Sequence, residues 1–203
     1  KGYRADNPIK SFSKPFSGGS DVEKLSVKQC ENLLNAAMGM ELEAGLLGSL
    51  VLGMFCGIRS SELDQLDWKA VDLETKHVTI SAKIAKGRSI RNVKIPDNAI
   101  LWLMRCHRRT GNIRPLQFRG HFDKLKEMAR VKRWPHNALR HSAGSYHYAM
   151  YGDSVATANM LGHTQDSVLF KHYRALTKKK DAEAFYNLSP ASNLSPLVLA
   201  EFR

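Results

Sequence analysis

Residues 77–95 read HVTISAKIAKGRSIRNVKI. Two runs rich in β-branched residues flank Lys86-Gly87-Arg88, which predicts an antiparallel hairpin with its tip at those three residues. On either side the apolar residues recur at helical spacing instead. The chain is therefore expected to be mainly α with a small antiparallel β-sheet, an α+β class.

N-terminal to the hairpin, Ser26 is a candidate cap for a helix through about Ala37, because Val27, Cys30, Leu33 and Leu34 share one face. Residues 42–56, LEAGLLGSLVLGMFC, are apolar nearly all round, which predicts one central buried helix. Ser60 or Ser61 is positioned to cap a short helix, SELDQL. C-terminal to it, Asp97 is expected to cap DNAILWLMRCHRR. FRGHFDKLKEMARV and NALRHSAGSYHYAMYG give two amphipathic helices, and Asp153 caps SVATANMLG with Gly162 as its stop. Residues 178–187 look helical. Residues 1–24, rich in Lys, Pro, Ser and Gly, read as a linker or arm, and 188–203 as a Pro-punctuated tail.

The chain has 203 residues, of which 43% are hydrophobic, enough for a packed core. Its formal charge of +12 and pI of about 9.8 favour a polyanionic partner, most often nucleic acid. Cys30, Cys56 and Cys106 are odd in number and far apart, which points to reduced, buried thiols and a cytoplasmic setting. No apolar run reaches the length of about 18 residues that a spanning helix needs, so no membrane partner is expected. Lys1 in place of Met marks the sequence as an expected fragment or processed product.

The motifs that are missing restrict the chemistry. There is no GxxxxGK[ST] loop, no HExxH, and no Cys or His spacing suited to zinc, so no metal or other cofactor is expected. Cations and one tyrosine remain: Arg59 in CGIRSSEL, Lys86 in AKGRS, Arg140 in NALRHS, His163 in LGHT, and Tyr173 ten residues later. Each has an ordinary reading; Arg59, for instance, stands at i,i+3 spacing from Glu62.

In that order, and on those elements, the set resembles the catalytic domain of the tyrosine recombinases, or phage-type integrases, over roughly residues 24–187. Arg59 and Arg140 match the two family arginines, and Glu62-Leu63 match the acidic-aliphatic pair after the first. Lys86 matches the hairpin lysine, His141-Ser142 follow Arg140 as in many members, and His163 and Tyr173 match the late histidine and the nucleophile. One position departs: where the family has His three residues before the second arginine, this chain has Asn137, with His136 one residue earlier. Asn donates a hydrogen bond but carries no charge.

The resemblance implies the DNA breaking-rejoining enzyme fold over residues 25–187 and attack of Tyr173 on a DNA phosphate, giving a 3′-phosphotyrosine without metal or ATP. Arg59, Arg140 and His163 would bind the phosphate oxygens and Lys86 would protonate the leaving oxygen, with Asn137, Glu62 and His141 in support. Lys83, Arg88, Arg91 and Arg133 would hold the backbone of double-stranded DNA. It also implies a homo-tetramer on DNA at synapsis, the isolated chain being monomeric, with the tail exchanged between protomers or packed in cis. The alternative is a non-catalytic DNA-binding relative.

Overall fold

The computed structural model describes residues 23–85, 87–163 and 177–191. Helix α1 (Val27–Gly39) begins where expected: Ser26 Oγ accepts the Gln29 N–H, and the Gln29 side chain accepts the Ser26 N–H. Its buried face is Cys30, Leu33, Leu34 and Ala37.

The single helix expected over residues 42–56 is two. Helix α2 (Glu41–Ala44) stops at Gly45, which turns left-handed with φ 59°. Helix α3 (Leu47–Phe55) then restarts, and Glu41 Oε2 accepts the Leu47 N–H at 2.9 Å. The first piece is half acidic, with Glu41 and Glu43, and only its Ala44 is buried, so the buried apolar run begins at the break itself. All nine residues of α3 are buried, as the all-round pattern predicts. They pack against α1 and two later helices, α5 (Asp97–Leu103) and α7 (Ala138–Tyr151).

The hairpin forms. Strand β1 (Val71–Asp72), a two-residue piece too short to show a period, pairs with β2 (His77–Ile80), and β2 pairs with β3 (Arg91–Lys94), all antiparallel in the order β1-β2-β3. Val78 lies opposite Val93 and Ile80 opposite Arg91, and Val78, Ile80 and Val93 are buried. The connection is wider than a tip at residues 86–88. Pairing ends at Ile80 and resumes at Arg91, and Ala85 folds back to donate its N–H to Ser81 O at 3.0 Å.

Two other boundaries differ from expectation. Pro96, not Asp97, caps α5; Asp97 is its first residue and pairs with Lys76 at 2.8 Å. The same helix stops at Leu103 rather than running through residue 109. Beyond it come α6 (Phe118–Met128), α7, α8 (Ser154–Leu161) and α9 (Lys179–Tyr186). Helix α9 docks through Phe185, whose ring stacks on Tyr146 of α7 at 4.2 Å and meets Phe55 of α3 at 4.7 Å.

Of the predicted arm, Glu23 and Lys24 are described, and of the tail, residues 188–191. Leu25 is tied to α7 at both backbone groups: its N–H donates to Ser142 Oγ and its carbonyl accepts from Tyr146 Oη, each at 2.9 Å. All three cysteines are free and buried, and burial pushes the Cys30 and Cys56 thiols up to about 12.

Candidate active site

The site is assembled on the C-terminal end of α8. A helix leaves its last carbonyls without partners inside the helix, and that end carries partial negative charge. Asp153 starts α8 by accepting the Ala156 N–H at 2.9 Å, and Gly162 ends it with φ 62°. Two arginines from distant segments take the exposed carbonyls. Arg140 of α7 donates through Nη2 to Leu161 O at 2.5 Å, and Arg59 donates through Nη2 to Gly162 O at 2.9 Å. His163 follows directly, its N–H bonded to Ala158 O at 3.0 Å.

Gly57 brings the first arginine there. It leaves α3 with φ 64°, and a Cβ on it would stand 2.5 Å from Leu161 Cδ2. Only glycine lets α8 approach this closely. The Gly57 carbonyl accepts from Arg140 Nη1 at 2.7 Å, so one guanidinium spans the α3 exit and the α8 end. Arg140 is 6% exposed and so is not an ordinary helix-surface arginine.

The chain then makes one helical turn, α4 (Ser60–Leu63), capped not by Ser60 or Ser61 but at Arg59. Arginine has no acceptor to offer, so the cap comes from Glu62, whose Oε2 accepts the Arg59 N–H at 3.0 Å. Glu62 Oε1 also accepts from Arg59 Nη1 at 3.1 Å. The i,i+3 pair therefore exists and is part of the site.

Glu62 is 0% exposed and has a second cation. Arg91, first residue of β3, donates Nη1 to Oε1 at 2.9 Å and Nη2 to Oε2 at 2.6 Å. Burial by itself would raise the Glu62 carboxyl, but the Arg91 hydrogen bonds, the Arg59 backbone and the two charges hold it down at about 2. His163 moves the same way for different reasons. Burial, then the charges of Arg140, Arg59, His141 and Arg91, press it down to about 4, so the imidazole is neutral at neutral pH. Its Nδ1 is buried with no protein partner among the described residues.

Arg59, Arg91, Gly162 and His163 line an open cleft of about 910 Å³, bordered by Ala85 and Gly87 of the hairpin connection and by His147. Lys86 lies between those two border residues in sequence but outside the described residues, as does Tyr173. Lys83 and Arg88 are exposed on the connection. Arg133 is exposed and pairs with Glu23 at 2.8 Å. His141 is half-buried beside Arg140. Asn137 is not among the residues of this cleft. It takes the left-handed conformation at the head of α7, with φ 52°, and together with His136 and Arg140 lines a second cleft of about 460 Å³ between α3 and α6.

Arg91, expected along the DNA, donates both terminal nitrogens to Glu62 and lines the cleft. Gly57, whose carbonyl holds Arg140, was not among the expected site residues. The Gly162 stop was legible, but not that its carbonyl receives Arg59.

The model of the phage integrase family matches residues 23–180. The integrase of Shigella phage Sf6 is 35% identical over 72 residues, 36% of this chain and 19% of that protein. Tyrosine recombinase XerC of Proteus mirabilis is 24% identical over 202 residues, 90% of this chain and 66% of that protein. This chain thus spans less than two thirds of either relative. Among solved structures, the XerH site-specific recombinase bound to palindromic difH substrate in a post-cleavage complex is similar, with a TM-score of 0.62 and 22% identity over 91% of this chain and 59% of that one.

Proposed function

The chain belongs to the phage integrase family, a family of DNA recombinases, and on that footing we propose that it cuts and rejoins double-stranded DNA at specific sites through a tyrosine-phosphate intermediate. The observation that carries this reading is the convergence of Arg59 and Arg140 on two successive carbonyls, Leu161 and Gly162, immediately before His163. Guanidiniums stay charged, bind phosphate oxygens through paired N–H groups and need no metal. Three donors on one oxyanion suit the negative charge that gathers on a phosphodiester under attack.

In this reading Tyr173 Oη loses its proton to solvent and attacks phosphorus, and the P–O5′ bond breaks. A 3′-phosphotyrosine forms, and Lys86 gives its proton to the leaving 5′-oxygen. A phenol with a reference pKa of about 10 needs the surrounding cations to make its anion accessible. His163, neutral in the free protein, donates a hydrogen bond to a phosphate oxygen. The 5′-hydroxyl reverses the step on a new strand, and the phosphoester energy is kept, so ATP is not consumed. Lys83, Arg88 and Arg133 are suited to the DNA backbone. Such chains would act as a tetramer on paired sites, and the XerH neighbour bound to DNA supports DNA as the partner.

A second reading, a relative that binds DNA without cutting it, is favoured by one observation. Asn137 stands where the family has a histidine, and an amide carries no charge to a phosphate. One assay separates the two. The full-length protein and its Tyr173→Phe variant are incubated with nicked duplexes tiled across the DNA flanking the gene, then run on a denaturing gel. An SDS-stable adduct that disappears with Tyr173→Phe is the expected result; binding with no adduct on any duplex would move the assignment to the second reading.

A further inference from the structure

Resting on the strand-transfer reading above, we propose that Arg91 is a positioning residue for Arg59. By occupying both oxygens of Glu62, it leaves Arg59 one bond to that carboxylate and keeps the other end of the Arg59 guanidinium on the Gly162 carbonyl.

Three features carry this. The two arginines share Glu62 unequally: Arg91 makes a two-point pair at 2.9 and 2.6 Å, Arg59 a single side-chain bond at 3.1 Å. The Arg91 side chain is only 13% exposed, and its Nε is buried with no partner among the described residues, so its side-chain hydrogen bonds there are those to Glu62. It also lies against the residue whose carbonyl holds Arg59: a Cβ on Gly162 would stand 3.1 Å from Arg91 Cδ, Nε and Nη1.

Remove Arg91 and a fully buried carboxylate has one guanidinium left. Two-point pairing is the strong geometry, and an uncompensated buried charge is costly. Arg59 then swings onto both Glu62 oxygens and leaves Gly162 O. A displacement of about 1 Å in a group that binds the reacting phosphate costs on the order of 10²-fold in rate. Arg91 would also fix the end of the connection that carries Lys86, since it is the first residue of β3, opposite Ile80.

The competing role for a basic residue here is direct phosphate contact, and the two predict different results. The full-length protein is compared with Arg91→Gln, Arg91→Lys and the double variant Glu62→Gln/Arg91→Gln. Adduct rate on the nicked duplexes and the salt dependence of DNA binding are measured for each. Positioning predicts that Arg91→Gln loses about 10²-fold in rate at an unchanged salt slope. It predicts that the double variant regains most of that rate, because a neutral amide does not capture Arg59. A phosphate contact predicts a slope reduced by about one and no recovery in the double variant; that result, or a wild-type rate in Arg91→Gln, overturns the proposal. Should Arg91→Gln not fold, Arg91→Lys carries the comparison, with a smaller loss at the same slope expected. Should the wild type form no adduct, the strand-transfer reading falls, and side-chain ¹⁵N NMR of Arg59 decides the placement. A resonance that moves in Arg91→Gln and returns in the double variant upholds it, and one that never moves refutes it.

Discussion

Gly57→Ala isolates the close approach on which the site is built. Two costs add at this position. The backbone is left-handed, φ 64°, which costs a residue with a Cβ about 1–2 kcal/mol. The new methyl would also stand 2.5 Å from Leu161 Cδ2 and 3.4 Å from Ala143 Cβ, and overpacking of this kind costs about 1–3 kcal/mol. The expected loss is about 2–5 kcal/mol, read as a lower urea midpoint at an unchanged slope. Gly152→Ala is the internal control. Gly152 has nearly the same backbone, φ 69°, but nothing lies within 4 Å of its Cβ position, so only the strain of about 1–2 kcal/mol applies. The difference between the variants measures the α3–α8 contact. Relief of that clash moves α8, and with it the Leu161 and Gly162 carbonyls, so Gly57→Ala should also depress adduct formation while Gly152→Ala leaves it near wild type. Equal stability losses in the two variants would refute the packing argument.

Arg140→Lys keeps the charge but cannot bridge Gly57 O and Leu161 O with one fork. A buried carbonyl left unpaired costs about 1–3 kcal/mol by urea unfolding, and adduct formation should fall sharply; a rate near wild type would count against the clamp. Acid should destabilise the chain in two stages. His163 is held near 4 against an ordinary 6.5, so the unfolded state takes up its proton first and stability falls as pH drops from about 6.5 toward 4. Glu62 is held near 2 against 4.5, so its contribution, complete above 4.5, is lost from there toward pH 2. Melting temperature across pH should show both stages, and His163→Gln should shrink only the upper one, to which His147, also lowered by burial, contributes the rest.

What the sequence made legible was local. Ser26, Asp153 and Gly162 end their helices as read, because a cap is decided by residues three or four apart. The pairing of β2 with β3 follows from two β-branched runs close in the chain. The break at Gly45 rests on one left-handed residue, which apolar periodicity does not report, and β1 was hidden by its length of two residues. The site divides in the same way. Arg59, Arg140 and His163 were found through ordered motifs, and the structure brings them together at one helix end. The Arg91–Glu62 pair spans 29 positions and depends on the register of β3, which no short spacing reports. The departure at Asn137 was visible, but its placement depends on a left-handed residue at the head of α7, which puts it on a second cleft that Arg140 also lines.

The choice of acceptors bears on the chemistry. A guanidinium fixed by carboxylates is oriented and neutralised together. Among the described residues, Arg140 donates to two carbonyls, and Arg59 to one carbonyl and to a carboxylate, Glu62, that it shares with Arg91. A phosphodiester brings one negative charge, and more accumulates on its oxygens under attack. In the proposed reaction, guanidiniums oriented in advance interact most strongly with that added charge, which is the condition for an electrostatic term to accelerate the step and not merely to bind. Burial first, and then the neighbouring cations, keep His163 neutral in the free protein, and an arriving phosphate relieves the second part by cancelling some of the field. On this account Glu62→Gln should strengthen DNA binding, since it adds one net positive charge beside the cleft. Weaker binding would contradict the electrostatic argument.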